Sequence, residues 1–160
     1  MRGEILLMKS LIIYSSTYKG NTKRIAEVLG EPINADLVNL KSFKDINIED
    51  YDLIGFGSGV YKESLSPQLF NCIEGLNLQG RKVFAFSTSG VGLAFYNKKL
   101  INLLESKGAM CKGSFACKGS FVSKDFSDNK IFEIMSKFSK GHPNQKDFSK
   151  AENFIKKIAT

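Results

Sequence analysis

Short apolar runs recur along the chain and alternate with amphipathic stretches. Five runs predict strands, the second of them weak and the fifth broken: Leu11 to Tyr14, Asp36 to Leu40, Leu53 to Phe56, Val83 to Phe86 and Met110 to Val122. The stretches between them place apolar side chains three or four positions apart, which predicts helices. These stripes are Ile25-Ala26-Val28-Leu29, Leu69-Phe70-Ile73-Leu76, Leu100-Ile101-Leu103-Leu104 and Phe148-Ala151-Ile155-Ile158, with a further short helix over Ile131 to Phe138.

The nearly continuous apolar character of the strands indicates the architecture. Strands that avoid water on both faces are typical of a parallel sheet covered by helices on both sides. We therefore predict a doubly wound α/β fold in one domain spanning residues 1–160, with residues 1–9 as a flexible N-terminal extension. Before the last helix, Asn144 is a candidate N-cap with Asp147 in the first turn, which makes His142 a loop residue rather than a catalyst.

The amino-acid composition argues against a membrane protein, a secreted protein and a disulfide-bonded protein. Hydrophobic residues make up 42% and charged residues 24% of the chain, and no apolar run approaches the roughly 18 residues of a membrane span. The apolar patch Ile5 to Met8 is shorter than the roughly 7 to 15 residue core of a signal peptide. Cys72, Cys111 and Cys117 have no C-x-x-C spacing, so we interpret them as small buried hydrophobes. We expect a cytoplasmic protein that is not a membrane protein.

Charge is distributed unevenly along the chain. Residues 1–80 hold 8 Lys and Arg against 10 Asp and Glu, whereas residues 81–160 hold 15 against 6, for a net charge of +7. A basic half favours an acidic partner. Its lysines follow helix faces without a recognition-helix pattern or a stacking-aromatic motif, so nucleic acid is not the expected partner.

A hydroxyl-rich loop links the first strand to the first helix. Its residues are Ser15, Ser16, Thr17, Tyr18, Lys19, Gly20, Asn21 and Thr22. A helix start leaves backbone N–H groups without partners and carries partial positive charge, so this loop predicts a phosphate site.

Two further loops follow the third and fourth strands, 57–67 and 87–97. In an open α/β sheet the loops after neighbouring strands meet at the carboxyl edge, where strand order reverses. Both loops begin with small residues and then offer aromatics, Tyr61 from one and Phe95 or Tyr96 from the other. Together the three loops predict a site for a planar aromatic ligand with a phosphate tail.

These motifs resemble the flavodoxin family. Tyr14-Ser15-Ser16-Thr17 with Gly20-Asn21-Thr22 is similar to the flavodoxin phosphate loop, while Gly57-Ser58-Gly59-Val60-Tyr61 and Phe86-Ser87-Thr88-Ser89-Gly90 are similar to the two flavin-ring loops. The resemblance extends to Gly141-His142-Pro143-Asn144 and the final helix. It implies a five-stranded sheet of order 2-1-3-4-5 that binds FMN noncovalently at its switch point.

The resemblance also implies roles for individual residues. The first loop, Ser15 to Thr22, would hold the phosphate, with Lys19 as a direct charge. The ring would lie against residues of the other two loops, namely Ser58, Gly59, Val60, Tyr61, Ser87, Thr88, Ser89, Gly90, Gly92 and Phe95. A carbonyl in a Gly57-Ser58-Gly59 turn would accept a hydrogen bond from the one-electron-reduced ring.

The function implied is that of an electron carrier without a substrate of its own. An alternative is an FMN-dependent reductase of quinones or an oxidase of tetrapyrrole precursors, although no lid is evident in 160 residues. The chain departs from typical flavodoxins, which are acidic, and its first loop is one residue longer. Its redox partner should therefore be acidic, such as a ferredoxin-like or rubredoxin-like carrier or an oxidoreductase domain. We expect a monomer or weak dimer.

Overall fold

Strands and helices alternate along most of the chain. The computed structural model describes residues 8–16, 20–42, 47–61, 64–120 and 130–160. The strands are β1 (Ser10–Ser15), β2 (Asp36–Asn39), β3 (Leu53–Tyr61), β4 (Ser64–Leu65), β5 (Lys82–Ser89) and β6 (Met110–Lys118). The helices are α1 (Asn21–Gly30), α2 (Pro67–Glu74), α3 (Lys98–Ser106), α4 (Lys130–Ser139) and α5 (Gln145–Ile158). Short 3₁₀ segments cover Glu31–Ile33, Leu40–Ser42, Ile48–Asp50 and Ala94–Asn97.

Five strands pair in parallel in the order β2-β1-β3-β5-β6. The two-residue strand β4 pairs antiparallel with the end of β3. The chain runs outward from β1 to β2, then crosses back to β3 and continues in the other direction, so strand order reverses between β1 and β3. The predicted doubly wound fold is confirmed, and without the short β4 the order is the predicted 2-1-3-4-5.

Each face of the sheet is covered by two helices, as a parallel sheet requires. On one face, Leu69 and Ile73 of α2 and Leu100 and Leu104 of α3 are fully buried in one core cluster. On the other face, a second cluster holds buried residues of α1 and α5, namely Ile25, Ala26, Leu29, Ala151 and Ile155. The apolar stripes read from the sequence are therefore the faces that the helices bury.

The fifth predicted strand is broken by a register shift. Val83 pairs with Cys111 and Ala85 pairs with Ser114, so β6 carries one residue more than β5 in this interval. Gly113 lies inside the shift with φ +156°, a backbone conformation that suits glycine. The strand ends at Lys118, and Val122 lies outside the described residues.

A capping box begins α5, as the sequence predicts. The Asp147 N–H donates to Asn144 Oδ1 at 3.1 Å, and the Asn144 N–H donates to Asp147 Oδ2 at 2.8 Å. His142 lies in the preceding loop, where its Nδ1 is 2.6 Å from the same carboxylate oxygen.

Substitution of this cap gives a first prediction. Asn144→Ala should lower the free energy of unfolding by about 1 kcal/mol, because it leaves a helix N–H without its acceptor, whereas Asn144→Gly should cost only a few tenths. Urea denaturation of both variants measures the difference. An alanine variant as stable as the parent would contradict the assignment of the cap.

Within the ranges that the structure describes, no helix combines the length and apolar character needed to cross a bilayer. In the same ranges, no three His, Cys, Asp or Glu side chains are grouped to hold a metal ion. The three cysteines are free thiols, with Cys117 buried and the other two partly buried. Burial raises the pKa of Cys117 to about 12, so this thiol stays protonated at neutral pH.

Candidate functional site

Three strands end side by side at the carboxyl edge of the sheet. Ser15 of β1 pairs with Ser58 of β3, and Ser58 pairs with Ser87 of β5. The strand-order reversal lies between β1 and β3, so the loops leaving these strands meet at the switch point. All three serine residues are buried, and the Ser87 hydroxyl has no hydrogen-bond partner among the residues that the structure describes. Such an orphaned buried hydroxyl marks this edge as polar and incompletely satisfied.

The first loop leads into the start of α1. Gly20 takes the left-handed conformation (φ 67°, ψ 19°) immediately before α1 and, being glycine, provides no side-chain cap of its own. The Lys23 N–H donates to the Ser16 hydroxyl at 3.2 Å. The remaining amides of the first turn are the groups that an α-helix leaves without intrahelical acceptors. Of the residues predicted for this loop, Thr17, Tyr18 and Lys19 lie outside the described residues.

The side chains of Asn21 and Thr22 contact other parts of the protein. Asn21 donates through Nδ2 to the Ser120 carbonyl at 2.9 Å and accepts from Arg24 Nη2 at 2.7 Å. The Thr22 and Thr88 hydroxyls are 2.9 Å apart. These bonds fix the start of α1 against the end of β5 and the segment after β6. The two side chains therefore position the helix start, and the backbone amides are the donors it offers.

The second loop differs from the predicted one. Residues 57–59 lie in strand β3, paired with Phe86, Ser87 and Thr88 of β5, so the expected Gly57-Ser58-Gly59 turn is wrong. The Ser58 hydroxyl donates to the Gly59 carbonyl at 2.6 Å and accepts from the Ser66 N–H at 2.9 Å, which ties the strand to the start of α2. The strand continues because every residue from 53 to 59 has a partner in β5 or β1.

Val60 and Tyr61 follow this motif at the end of strand β3. Val60 is half-buried against the core under α2 and α3, which directs its side chain away from the solvent edge. Tyr61 ends strand β3 and pairs with Ser64. The position of its side chain lies outside what the structure describes.

The third loop is braced by its own polar groups. The Gly92 N–H donates to the Ser89 hydroxyl at 2.7 Å, and the Ser89 carbonyl accepts from the Gly119 N–H at 2.9 Å. Gly92 has φ +68°, and a Cβ there would lie 2.9 Å from the Lys118 amide nitrogen. Glycine is required here by the turn and by its contact with β6. Gly90 is half-buried and lies between Ser89 and Gly92 in this loop.

The structure distinguishes the two aromatic candidates that follow the third loop. Tyr96 is partly buried and packs against the core, whereas Phe95 is 70% exposed. The two rings contact at a centroid distance of 5.2 Å. Phe95 is thus the aromatic side chain available for stacking on a planar ligand.

Sequence comparison identifies the family of this chain. The model of the flavodoxin domain family matches residues 11–111, which run from β1 into β6 and include all three loops. The chain belongs to the flavodoxin domain family. It is also 37% identical over 153 residues to the uncharacterized protein MJ0298 of Methanocaldococcus jannaschii, covering 94% of this chain and 98% of that protein.

Solved flavodoxin structures share the fold. Oxidised flavodoxin 2 from Bacillus cereus superimposes with a TM-score of 0.68 at 18% identity, over 94% of this chain and 97% of that one. A flavoprotein from Lactobacillus acidophilus, solved in complex with FMN, superimposes with a TM-score of 0.55 at 21% identity, over 69% of this chain and 93% of that one. At these identities the likeness concerns the fold.

Three residues at the flavodoxin-domain site were missed by sequence reasoning. Arg24 lies one turn into α1 and bonds to Asn21, a spacing of three residues that the sequence does display. Gly119 and Ser120 lie beside Asn21, and the Ser120 carbonyl accepts from Asn21 Nδ2. A Cβ on Gly119 would lie 2.7 Å from the same nitrogen. The hydrogen bond between Asn21 and Ser120 joins residues 99 apart in the sequence, and no local pattern predicts such a contact.

Proposed function

We propose that this protein binds FMN noncovalently at the carboxyl edge of β1, β3 and β5 and carries single electrons between protein partners. The observation that supports this most is the start of α1 behind the left-handed Gly20, which provides no side-chain cap, at the switch point of a flavodoxin-domain sheet. A helix start of this kind satisfies a phosphate with several amides and a favourable dipole. The L. acidophilus flavoprotein, solved with FMN, supports the choice of ligand by analogy.

The donor set fits a phosphate tail. The amides of Asn21 and Thr22 and the Ser16 hydroxyl would bind it, while Asn21 and Thr22 side chains hold the helix start in position. Thr17, Tyr18 and Lys19 remain predicted phosphate contacts. Because the donors are mostly backbone groups fixed by the fold, little ordering entropy would be lost on binding.

The edges of β3 and β5 fit a flat ring. Phe95 provides an exposed aromatic face on the 3₁₀ segment that follows β5. FMN, when bound, supplies reversible transfer of one or two electrons. The protein would hold the ring beside Phe95 and limit its contact with water. The predicted ring-side residues remain predictions, namely Ser58, Gly59, Val60, Tyr61, Ser87, Thr88, Ser89, Gly90, Gly92 and Phe95.

The charge near Phe95 supports an acidic protein partner. The first turn of α3 contains Lys98 and Lys99, both exposed, and has no acidic residue. Lysines at a helix start oppose the helix dipole, so their placement is electrostatically unfavourable for the free protein. Leu93, 51% exposed, lies on the same segment. A basic and apolar edge beside the ring would attract an acidic redox protein.

The cysteines support a location for the carrier. All three are free thiols, which are typical of reducing compartments, so we propose that the carrier works in the cytoplasm.

Titration with FMN followed by stepwise reduction tests this function. We expect the protein to quench FMN fluorescence at a one-to-one ratio, to be reduced in two resolved one-electron steps, and to show no quinone turnover with NAD(P)H. Absence of quenching would contradict FMN binding. A single two-electron step with rapid quinone turnover would contradict the carrier and favour a reductase.

A further inference from the structure

Helix α4 exposes an apolar ridge that the proposed flavin site does not use. Ile131, Ile134 and Phe138 are 63%, 52% and 68% exposed. At 3.6 residues per turn these three positions fall within about 60° of the helix circumference, so they form one ridge along α4. Ser139, which lies outside this arc, is fully buried and faces the protein. Large apolar side chains exposed along one face of a helix, here Ile134 and Phe138 above all, mark an interaction surface.

The edge of this ridge is basic. Lys130 and Lys137 lie beside Ile134 on the helix, and Lys140 follows the last turn. All three lysines are exposed, while Glu133 is the acidic residue of the helix. Lysine stems can extend along an apolar surface and place their ammonium groups at an anionic layer. Apolar side chains beside exposed lysines are the pattern of an interfacial helix.

Two residues that flank α4 in the sequence are bonded to each other beside the candidate site. The Ser120 carbonyl accepts from Asn21 Nδ2, and the Ser120 N–H donates to the His142 carbonyl at 2.8 Å. His142 follows the end of α4 by three residues, so the end of α4 lies near the carboxyl edge of the sheet.

We propose that α4 docks this protein on an anionic lipid surface, with Ile134 and Phe138 inserted at the headgroup boundary and Lys130, Lys137 and Lys140 among the anionic headgroups. A net charge of +7 adds long-range attraction to such a surface. The same lysines would repel each other across a symmetric contact between two copies of the chain. A fluid lipid layer also accepts a convex ridge without a matching groove. A helix lying on a bilayer needs no span, so this proposal replaces the expectation of no membrane partner.

Vesicle binding tests the proposal directly. In low salt, we expect the protein to sediment with vesicles of phosphatidylcholine and phosphatidylglycerol in equal amounts and much less with phosphatidylcholine alone. Joint Ile134→Ser and Phe138→Ser substitution should reduce binding by about tenfold or more, and Lys137→Glu with Lys140→Glu by a similar factor. Met110→Ser is the matched control, because Met110 is 50% exposed at the opposite end of the sheet. It should leave binding unchanged.

A fluorescence reporter keeps the test independent of sedimentation. The chain has no tryptophan, so Phe138→Trp introduces a single one on the ridge. Its emission should shift to the blue with the mixed vesicles and not with phosphatidylcholine alone. No shift, binding that survives the Ile134 and Phe138 substitutions, or a dimer abolished by those substitutions would overturn the proposal. None of these readouts involves flavin, so their failure is distinct from failure of FMN binding.

Discussion

Gly57→Ala is expected to destabilise the sheet strongly. A Cβ at Gly57 would lie 2.1 Å from Cζ of Phe86, a fully buried ring. Phe86 is held in turn by Phe84, at a centroid distance of 6.2 Å, and Phe84 by Phe154 at 6.0 Å. Because the ring has no free space to move into, we expect a loss of about 3 kcal/mol in the free energy of unfolding.

Two further variants make this expectation specific. Gly75→Ala is the matched control, since its Cβ would meet only the Cys72 carbonyl at an ordinary 3.7 Å, and it should change stability little. Phe86→Leu combined with Gly57→Ala should recover part of the loss, because a smaller side chain makes room for the methyl group. Urea denaturation measures all four proteins. Equal effects of the two alanine substitutions would contradict the packing of Phe86 over Gly57.

Joint Asn21→Ala and Thr22→Ala substitution should weaken FMN binding far more than riboflavin binding. These side chains fix the start of α1 to Ser120 and Thr88, so their loss should misalign the amides proposed to bind the phosphate. Charge-assisted hydrogen bonds contribute about 1.5 to 3 kcal/mol each, which predicts a loss of about 30-fold or more for FMN. Riboflavin lacks the phosphate and should lose little.

Fluorescence titration of both flavins against both proteins gives the comparison. Lys23→Ala is the matched control on the same helical turn, because the Lys23 side chain is exposed. It should leave the ratio of FMN to riboflavin affinity nearly unchanged. Equal weakening of FMN and riboflavin in the double variant would show that this loop does not bind the phosphate.

The sequence predicted the sheet and its edge because those features are local. Apolar runs of four residues and stripes at helical spacing are visible in short windows, and the strand order followed from a family resemblance. The cap at Asn144 and Asp147 was also predictable, since a capping box spans four residues. The convergence of three loops at one edge then follows from parallel strands.

The roles of particular side chains were less predictable, because they depend on residues distant in sequence. Gly57 looked like a ligand-side turn residue, yet it lies in a strand and accommodates Phe86. Asn21 is a predicted phosphate contact, and its side chain also bonds to Ser120, 99 residues away in the sequence. The Ser58 hydroxyl accepts a hydrogen bond from the Ser66 amide. Such tertiary contacts leave no periodic signal in the sequence.

In our proposal the start of α1 binds the phosphate of FMN. A crystal structure of the protein with saturating FMN is the decisive experiment. We expect phosphate oxygens within hydrogen-bond distance of the Asn21 and Thr22 backbone nitrogens, with the ring near Phe95. A bound FMN whose phosphate lies away from Gly20 and the first turn of α1 would rule this binding mode out.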